Sequence, residues 1–279
     1  MSGADARLAV ALTRVPDLPR WIDTRGMLLS GRAVVFGEAS GGPGFVAAVP
    51  DAALASVVGR PPARVLQRTI ASLTGDVNVL AQMEDADYVA AALPDWRRQR
   101  ALIHILAERE PASAPIDPGT RLFNRHTAPA FDHVPDPLRR ELLDALNGRT
   151  VSRFVPGLLP AAPAIASRAT VPMAAVWADG RPVAFCYPVW QTETLWDVSI
   201  ETLPAYRRQG LGRRAARRLM RHMRGTGRSP VWGALEANAP SRRLAASLGF
   251  LEAAGIAVFT AAAGPSSRSG PVRERRDGG

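Results

Sequence analysis

Between Met173 and Thr202 the apolar residues fall into three runs, Met173–Ala178, Val183–Val189 and Leu195–Thr202, which predict three consecutive strands. Asp179-Gly180-Arg181 separates the first two, and Asp-Gly between apolar runs is a hairpin signal. Gln191–Thr194 separates the second from the third. From Arg213 the period changes: Ala216, Leu219, Met220 and Met223 recur at helical spacing. Arg214, Arg217, Arg218 and Arg221 fall on the remaining, solvated face of that helix. A strand over Pro230–Glu236, a helix closing at Leu248-Gly249-Phe250 and a strand over Ala253–Thr260 complete the pattern. Ahead of it, Leu138, Leu142, Leu143 and Leu146 make Pro137–Leu146 an amphipathic helix.

The earlier part of the chain has the same rhythm. Leu18–Leu29 reads as a helix, and Arg32–Glu38 and Gly44–Val49 as strands parted by Ser40-Gly41-Gly42-Pro43. Pro61-Pro62 opens a helical stretch to Leu73, Val77–Gln82 is a strand, Asp85–Leu93 a helix and Arg100–Leu106 a strand. The succession from Val77 to Leu106 matches that from Val231 to Thr260, each passing strand, helix, aromatic residue and strand. It reads equally as a degenerate copy of one half-fold or as generic α/β alternation. Ala107–Gly119, rich in Ala, Pro and Glu, is expected to be a linker, and Ala261–Gly279 a disordered tail. The expected organisation is an N-terminal α/β segment over 1–115, a second domain over 116–262 and a tail over 263–279.

Arg207-Arg208-Gln209-Gly210-Leu211-Gly212 lies between the third strand and the arginine-rich helix. A glycine-containing turn that opens a helix presents unpaired backbone N–H groups at the positive end of the helix dipole. Gly210 and Gly212 carry no Cβ to obstruct a bulky anion, and Arg207, Arg208 and Arg213 add full charges. The pattern suits a diphosphate. It lacks the Gly-Lys-Ser/Thr of a P-loop and the third glycine and distant acid of a dinucleotide fold. The corresponding first-half turn, Gly59-Arg60-Pro61-Pro62, lacks the pattern, and its prolines remove donors.

The strand, Pro204-Ala205-Tyr206, Arg-x-x-Gly-x-Gly and helix resemble the acetyl-CoA loop of the GNAT acetyltransferase superfamily. Asn238-Ala239-Pro240-Ser241 followed by Leu248-Gly249-Phe250 resembles that family's second signature. The resemblance covers about residues 120–262. It implies an α/β fold with a mixed, mostly antiparallel sheet flanked by helices, and a splay between strands that holds acetyl-CoA. It also implies acyl transfer from CoA to a small-molecule or peptide amine by direct attack. Backbone groups of Ile200 and Thr202 would bond the pantetheine arm, and Asn238 and Ser241 would assist. Gln209 and Leu211 enter with the loop. The alternatives are ordinary strand pairing, which accounts for most of the side-chain identity of Ile200 and Thr202, and a plain helix cap for Asn238.

Proton removal needs a base near the splay. Asp197, ten residues before Arg207 and beside Trp196, is the first candidate, because an apolar flank raises a carboxyl pKa; it reads equally as an edge-strand aspartate paired with an arginine. Glu193, an even number of residues away, is the second, read as facing the same way and sensing acceptor charge. Glu201 and Glu236 are further acids. The resemblance also implies a tyrosine that protonates the leaving thiolate. None follows Phe250 up to Phe259, which leaves Tyr187 as a substitute.

Of 279 residues, 47% are hydrophobic and 22% charged, as expected for a globular protein with an ample core. All 35 basic residues are arginine and the net charge is +10. Coding bias explains most of them, so nucleic acid is not the expected partner. Cys186 is the single cysteine and reads as core, and the four histidines lack metal-ligand spacing. A metal-free protein in a reducing, cytoplasmic setting, away from membranes, is expected. Trp177, Trp190, Trp196 and Trp232 read as core or as the wall of an acceptor pocket. The missing tyrosine motivates one rival reading, a non-catalytic acyl-CoA-binding regulatory module. The charge motivates another, a nucleic-acid-associated protein.

Overall fold

The computed structural model describes residues 3–107, 118–124, 126–129, 131–136, 138–146 and 172–261. The expected linker apart from its ends, the Pro/Ala-rich stretch 155–167, which the sequence predicts as a loop, and the tail beyond Ala261 lie outside these residues.

The strands are β1 (Val34–Gly37), β2 (Gly44–Val49), β3 (Leu54–Gly59), β4 (Asn78–Gln82), β5 (Trp96–Leu106), β6 (Thr120–Phe123), β7 (Met173–Ala178), β8 (Arg181–Gln191), β9 (Leu195–Thr202), β10 (Ser229–Leu235) and β11 (Phe250–Ala261). The helices are α1 (Gly3–Thr13), α2 (Ile22–Leu29), α3 (Ala63–Ala71), α4 (Ala86–Ala92), α5 (Leu138–Leu146), α6 (Leu211–Arg224) and α7 (Ala239–Ser247). All eleven strands form one sheet in the order β1-β2-β3-β4-β11-β5-β10-β9-β8-β7-β6. Only β3–β4 and β9–β10 are parallel. This is a mixed α/β fold with a mostly antiparallel sheet flanked by helices.

The order β1-β2-β3-α3-β4-α4-β5 recurs as β7-β8-β9-α6-β10-α7-β11. The two runs are interlocked by their last strands. β11 pairs with β4 of the first run, and β5 pairs with β10 of the second. At the centre of the sheet β5 and β11 pair with each other along their length, from Trp96↔Ala261 to Leu106↔Phe250. Neither run closes its sheet without the other.

Period-two patterning assigns the two faces of the first run. Phe45, Ala47 and Val49 pack under α1 and α2, while the intervening Val46 and Ala48 pack under α3 and α4. Both faces of β2 are covered, which is why Gly44–Val49 reads as an unbroken apolar run. In the second run α5, α6 and α7 pack with β6–β10 around Phe185, Tyr187, Trp196 and Phe250.

Helix α2 sits across the junction of the runs. Leu18–Leu29, expected as one helix, divides into a 3-10 turn, Pro19–Trp21, and α2. Thr24 Oγ1 hydrogen-bonds Ser56 Oγ on β3 at 2.7 Å. Gly26 lies so close to β8 that a Cβ there would come within 2.5 Å of Trp190 Cβ. Arg25 donates Nε–H and Nη2–H to the two carboxylate oxygens of Glu193, at 2.7 and 2.5 Å, and Nη1–H to the carbonyls of Leu12 and Val15. The Arg25 and Glu193 side chains are 10% and 17% exposed, so breaking the pair leaves a largely buried charge. Glu193→Ala is expected to lower unfolding free energy by about 3 kcal/mol, read from urea denaturation. A change under about 0.5 kcal/mol, the ordinary range for a surface substitution, would show that the pair does not hold α2.

Candidate functional site

Strands β9 and β10 run parallel but pair only over Leu195↔Ser229, Trp196↔Pro230 and Val231↔Asp197. Past Asp197 they diverge, and Val198–Thr202 faces an open wedge rather than a neighbouring strand. β9 stays straight here because its other edge is held by β8 from Val198↔Pro188 to Thr202↔Ala184. β10 is drawn the other way by β5, from Val231↔Ile105 to Leu235↔Ala101. The inserted β5 therefore contributes to the splay.

A groove of about 860 Å³ fills the wedge and runs to the start of α6. Ile200 and Thr202 line one wall, Trp232, Asn238, Pro240 and Ser241 the other, and Arg207, Arg208, Gly210, Leu211, Gly212 and Arg213 the end. Of the residues proposed from sequence to hold acetyl-CoA, Gln209 alone is absent from the lining; its amide reaches back to the Ala205 carbonyl at 3.5 Å. Arg243 and Leu244 of α7 and Gly233 of β10 also line the groove and were not identified from sequence.

The turn has alternating handedness. Arg208 and Gly210 have φ of 59° and 74°, between residues of negative φ such as Arg207 at −68°. Left-handed residues interspersed in this way gather successive N–H groups into an anion-binding concavity. Gly210 is the N-cap of α6 and has no side chain to satisfy the first-turn donors. The two glycines play different parts. A Cβ on Gly210 would meet nothing within 4 Å, so its requirement is conformational. A Cβ on Gly212 would lie 3.1 Å from Ile200 Cγ2 and 3.4 Å from Thr202 Oγ1. Gly212 thus seats α6 against β9 rather than admitting the anion. Arg207 Nε–H donates to the Thr202 carbonyl at 3.1 Å, which ties the turn to the end of the strand.

On the second signature, Asn238 Oδ1 accepts the Ser241 N–H at 3.2 Å and caps α7. Ser241 Oγ accepts the Trp232 Nε1–H at 3.0 Å. Both residues remain in the groove wall while making these local bonds.

Asp197 stands at the apex of the wedge, on the opposite face of β9 from Ile200 and Thr202. It lines a second cavity of about 330 Å³, and Gly233 belongs to the walls of both cavities. Its carboxylate accepts the N–H groups of Val198 and Gly233. Its pKa is nevertheless pushed well above the ordinary carboxylate range, first by burial and then by the charge of Asp23 on α2. Burial likewise raises Asp23, to about 6. Asp23 went unnoticed in the sequence, since only the packing of α2 across the runs brings it to β9.

Glu193 does not line either cavity; β9 begins two residues later, so strand alternation does not extend to it. Its carboxylate is engaged by Arg25. Tyr187 is fully buried in the core and also lies away from both cavities, so its placement does not serve a leaving group in the groove. Cys186 is fully buried, and burial pushes its thiol pKa up. Among the described residues, no three His, Cys, Asp or Glu side chains gather as metal ligands, and no helix is long and apolar enough to cross a membrane.

In the first run β3 and β4 pair over Leu54–Val57 and Asn78–Ala81, which leaves only Val58 and Gly59 beyond the last pair. Arg60 pairs with Asp85 at 3.2 Å, and Tyr88 Oη–H donates to the Pro61 carbonyl, across the region that would have to open. No comparable wedge forms there.

Residues 142–250 match the family model described as Acetyltransferase (GNAT) family. No curated protein matches the chain. Among solved structures, a GCN5-related N-acetyltransferase-like protein from Streptococcus suis aligns with a TM-score of 0.62 at 13% identity, covering 92% of this chain and 99% of its own. A tandem GNAT protein from the clavulanic acid biosynthesis pathway aligns at 0.56 and 16% identity, covering 94% of each chain. A putative GNAT-family acetyltransferase from Novosphingobium aromaticivorans aligns at 0.54 and 19% identity, covering 88% of this chain and 96% of its own. These likenesses span both runs and agree with the repeated topology. Residues 142–250 thus match the GNAT acetyltransferase family model, within a chain that has the fold of GNAT structures.

Proposed function

We propose that the protein is an acyl-CoA-dependent N-acyltransferase that moves acetyl from acetyl-CoA to a primary amine by direct attack. The observation that carries this is the wedge between β9 and β10, which opens at Asp197 and ends on the donors of α6. The groove suits acetyl-CoA in its parts. Its arginine-rich end and the N-terminus of α6 match a diphosphate. Past Asp197 the edge of β9 turned from β8, at Val198 and Ile200, offers backbone groups to an amide-bearing arm. Acetyl-CoA supplies the activated thioester, whose C–S bond breaks as the amine nitrogen bonds to the carbonyl carbon.

The protein's part is position and proton transfer. Asp197 faces the acceptor side and, when ionised, takes the proton that an ammonium must lose before its nitrogen can attack. Its raised pKa makes it a stronger base than an ordinary aspartate. No tyrosine is assigned to the leaving thiolate, and solvent in the open groove serves for its proton.

Isothermal calorimetry with acetyl-CoA, together with thiol release over a panel of amines, tests the reading. Binding with no turnover of any amine would replace catalysis with an acyl-CoA-binding role. The expected stoichiometry is one acetyl-CoA per chain, because β3 and β4 stay paired and prolines stand where donors are needed. Two equivalent sites per chain would refute the assignment of a closed first run.

A further inference from the structure

The second cavity lies between the two runs, on the face of the sheet that carries α2. Leu54, Asn78 and Leu80 wall it from the first run, Asp197 and Gly233 from the second, and Asp23 enters from α2. Apart from Asn78 and the two aspartates the side chains around it are apolar. About 330 Å³ is near the lower end of the range for small-molecule sites.

Its electrostatics are one-sided. Two carboxylates face an apolar space, and no arginine or histidine is in the lining. Arg25, next in sequence to Thr24 and on the same helix as Asp23, is turned away and held by Glu193. Among the described residues neither Asp23 nor Asp197 forms an ion pair. Like charges in such a space raise each other's cost of ionisation unless a cation joins them. An arrangement of this kind costs stability and is best completed by a positively charged ligand. The junction contacts of α2 are made by Thr24, Arg25 and Gly26, whereas the Asp23 carboxylate accepts its own backbone N–H in the first turn.

We propose that this cavity is the acceptor site, that it takes a small primary ammonium with an apolar body and no carboxylate, and that Asp23 of the first run sets this specificity. The proposal rests on the acyltransferase reading for its chemistry but not for its binding. The ammonium bridges Asp23 and Asp197. Asp197 then takes one proton from the nitrogen, which leaves the neutral amine to attack through the wedge beside Gly233, while Asp23 stays ionised. An acceptor with its own carboxylate would set a third negative charge in a cavity that has no cation to meet it. The first run, which lacks a wedge, thereby provides a wall and a charge to the second.

Calorimetry with the full chain tests this without turnover, using three probes of similar apolar body: n-hexylamine, 1-hexanol and norleucine. Hexylamine is expected to bind, and hexanol and norleucine to bind at least tenfold more weakly. Asp23→Asn is expected to weaken hexylamine by about ten- to a hundredfold, the worth of one charge-assisted hydrogen bond. Leu80→Phe, which fills the cavity without altering charge, is expected to weaken hexylamine while leaving acetyl-CoA affinity unchanged. Norleucine binding as tightly as hexylamine, or hexylamine affinity unmoved by both variants, would overturn the proposal. Thermal melting of each variant confirms that it is folded. If hexylamine binds as expected but no amine is acylated, the acyltransferase reading fails and the ammonium site stands. If amines are acylated with KM unchanged in Asp23→Asn, the site fails and the acyltransferase reading stands.

Discussion

Asp197→Asn is expected to lower kcat for amine acylation by about 10²–10⁴-fold while leaving acetyl-CoA affinity within error of the wild type. Asparagine keeps the shape of the side chain and a carbonyl oxygen for the N–H groups of Val198 and Gly233, so the apex of the wedge should survive. What it loses is the ability to accept a proton. The pH dependence gives a second readout with a definite sign. The base works only when ionised, so activity falls as pH drops through its pKa. An aspartate at its ordinary value of 3.8 would place that fall well below neutrality; burial and the neighbouring charge of Asp23 move it upward. The low-pH limb of kcat/KM in the wild type should therefore lie above the usual carboxylate range, and Asp197→Asn should flatten it. Asp23→Asn removes one of the two causes of the shift and should move the limb to lower pH. Wild-type turnover by Asp197→Asn across pH would exclude Asp197 from the chemistry and send the search to Glu201 or Glu236.

Sequence alone disclosed the second run far better than the first. Met173–Ala178 and Leu195–Thr202, the expected strands, are the bounds of β7 and β9. The reasons are local: Asp179-Gly180 at a hairpin, a change of period at α6 and a glycine turn between them. Three elements escaped notice. α1 is alanine-rich and shows no clear apolar stripe, so its periodicity is weak. β3 is a short apolar run that begins after Ala53, a left-handed residue with none of the usual turn chemistry. β6 is a four-residue strand at the edge of the sheet.

The exchange of β5 and β11 was invisible for another reason. Both strands have the patterning of any central strand, and nothing in a period tells which neighbour a strand will take. The same holds for the acceptor side. Asp197 was legible from its distance to the glycine turn, whereas Asp23 has no local signal. Glu193 illustrates the converse limit. It was read as sensing acceptor charge, but it lies in the turn before β9, where Arg25 of α2, the helix that also brings Asp23 to Asp197, engages its carboxylate. Sites made within one strand–turn–helix unit can be read from sequence, and sites made between units require the packing.

Gly212→Leu is expected to weaken acetyl-CoA binding by a hundredfold or more, and Gly210→Ala by about tenfold or less. The contrast follows from the different constraints on the two glycines. At Gly210 there is room for a methyl group, and the cost is that of holding an L-residue at φ 74°, about 1–2 kcal/mol. At Gly212 the first atom of any side chain already meets Ile200 at 3.1 Å, and three further carbons must displace either β9 or the first turn of α6. Moving that turn withdraws several donors from the diphosphate position together. Each charge-assisted hydrogen bond is worth about 1.5–3 kcal/mol, so the loss of two accounts for a hundredfold. Calorimetry gives the affinities, and circular dichroism establishes that both variants remain folded. Equal, small effects in the two variants would mean that α6 does not hold the diphosphate, and the groove would then have no claim on CoA. A large effect at Gly210 with none at Gly212 would place the anion in the turn alone, without the helix.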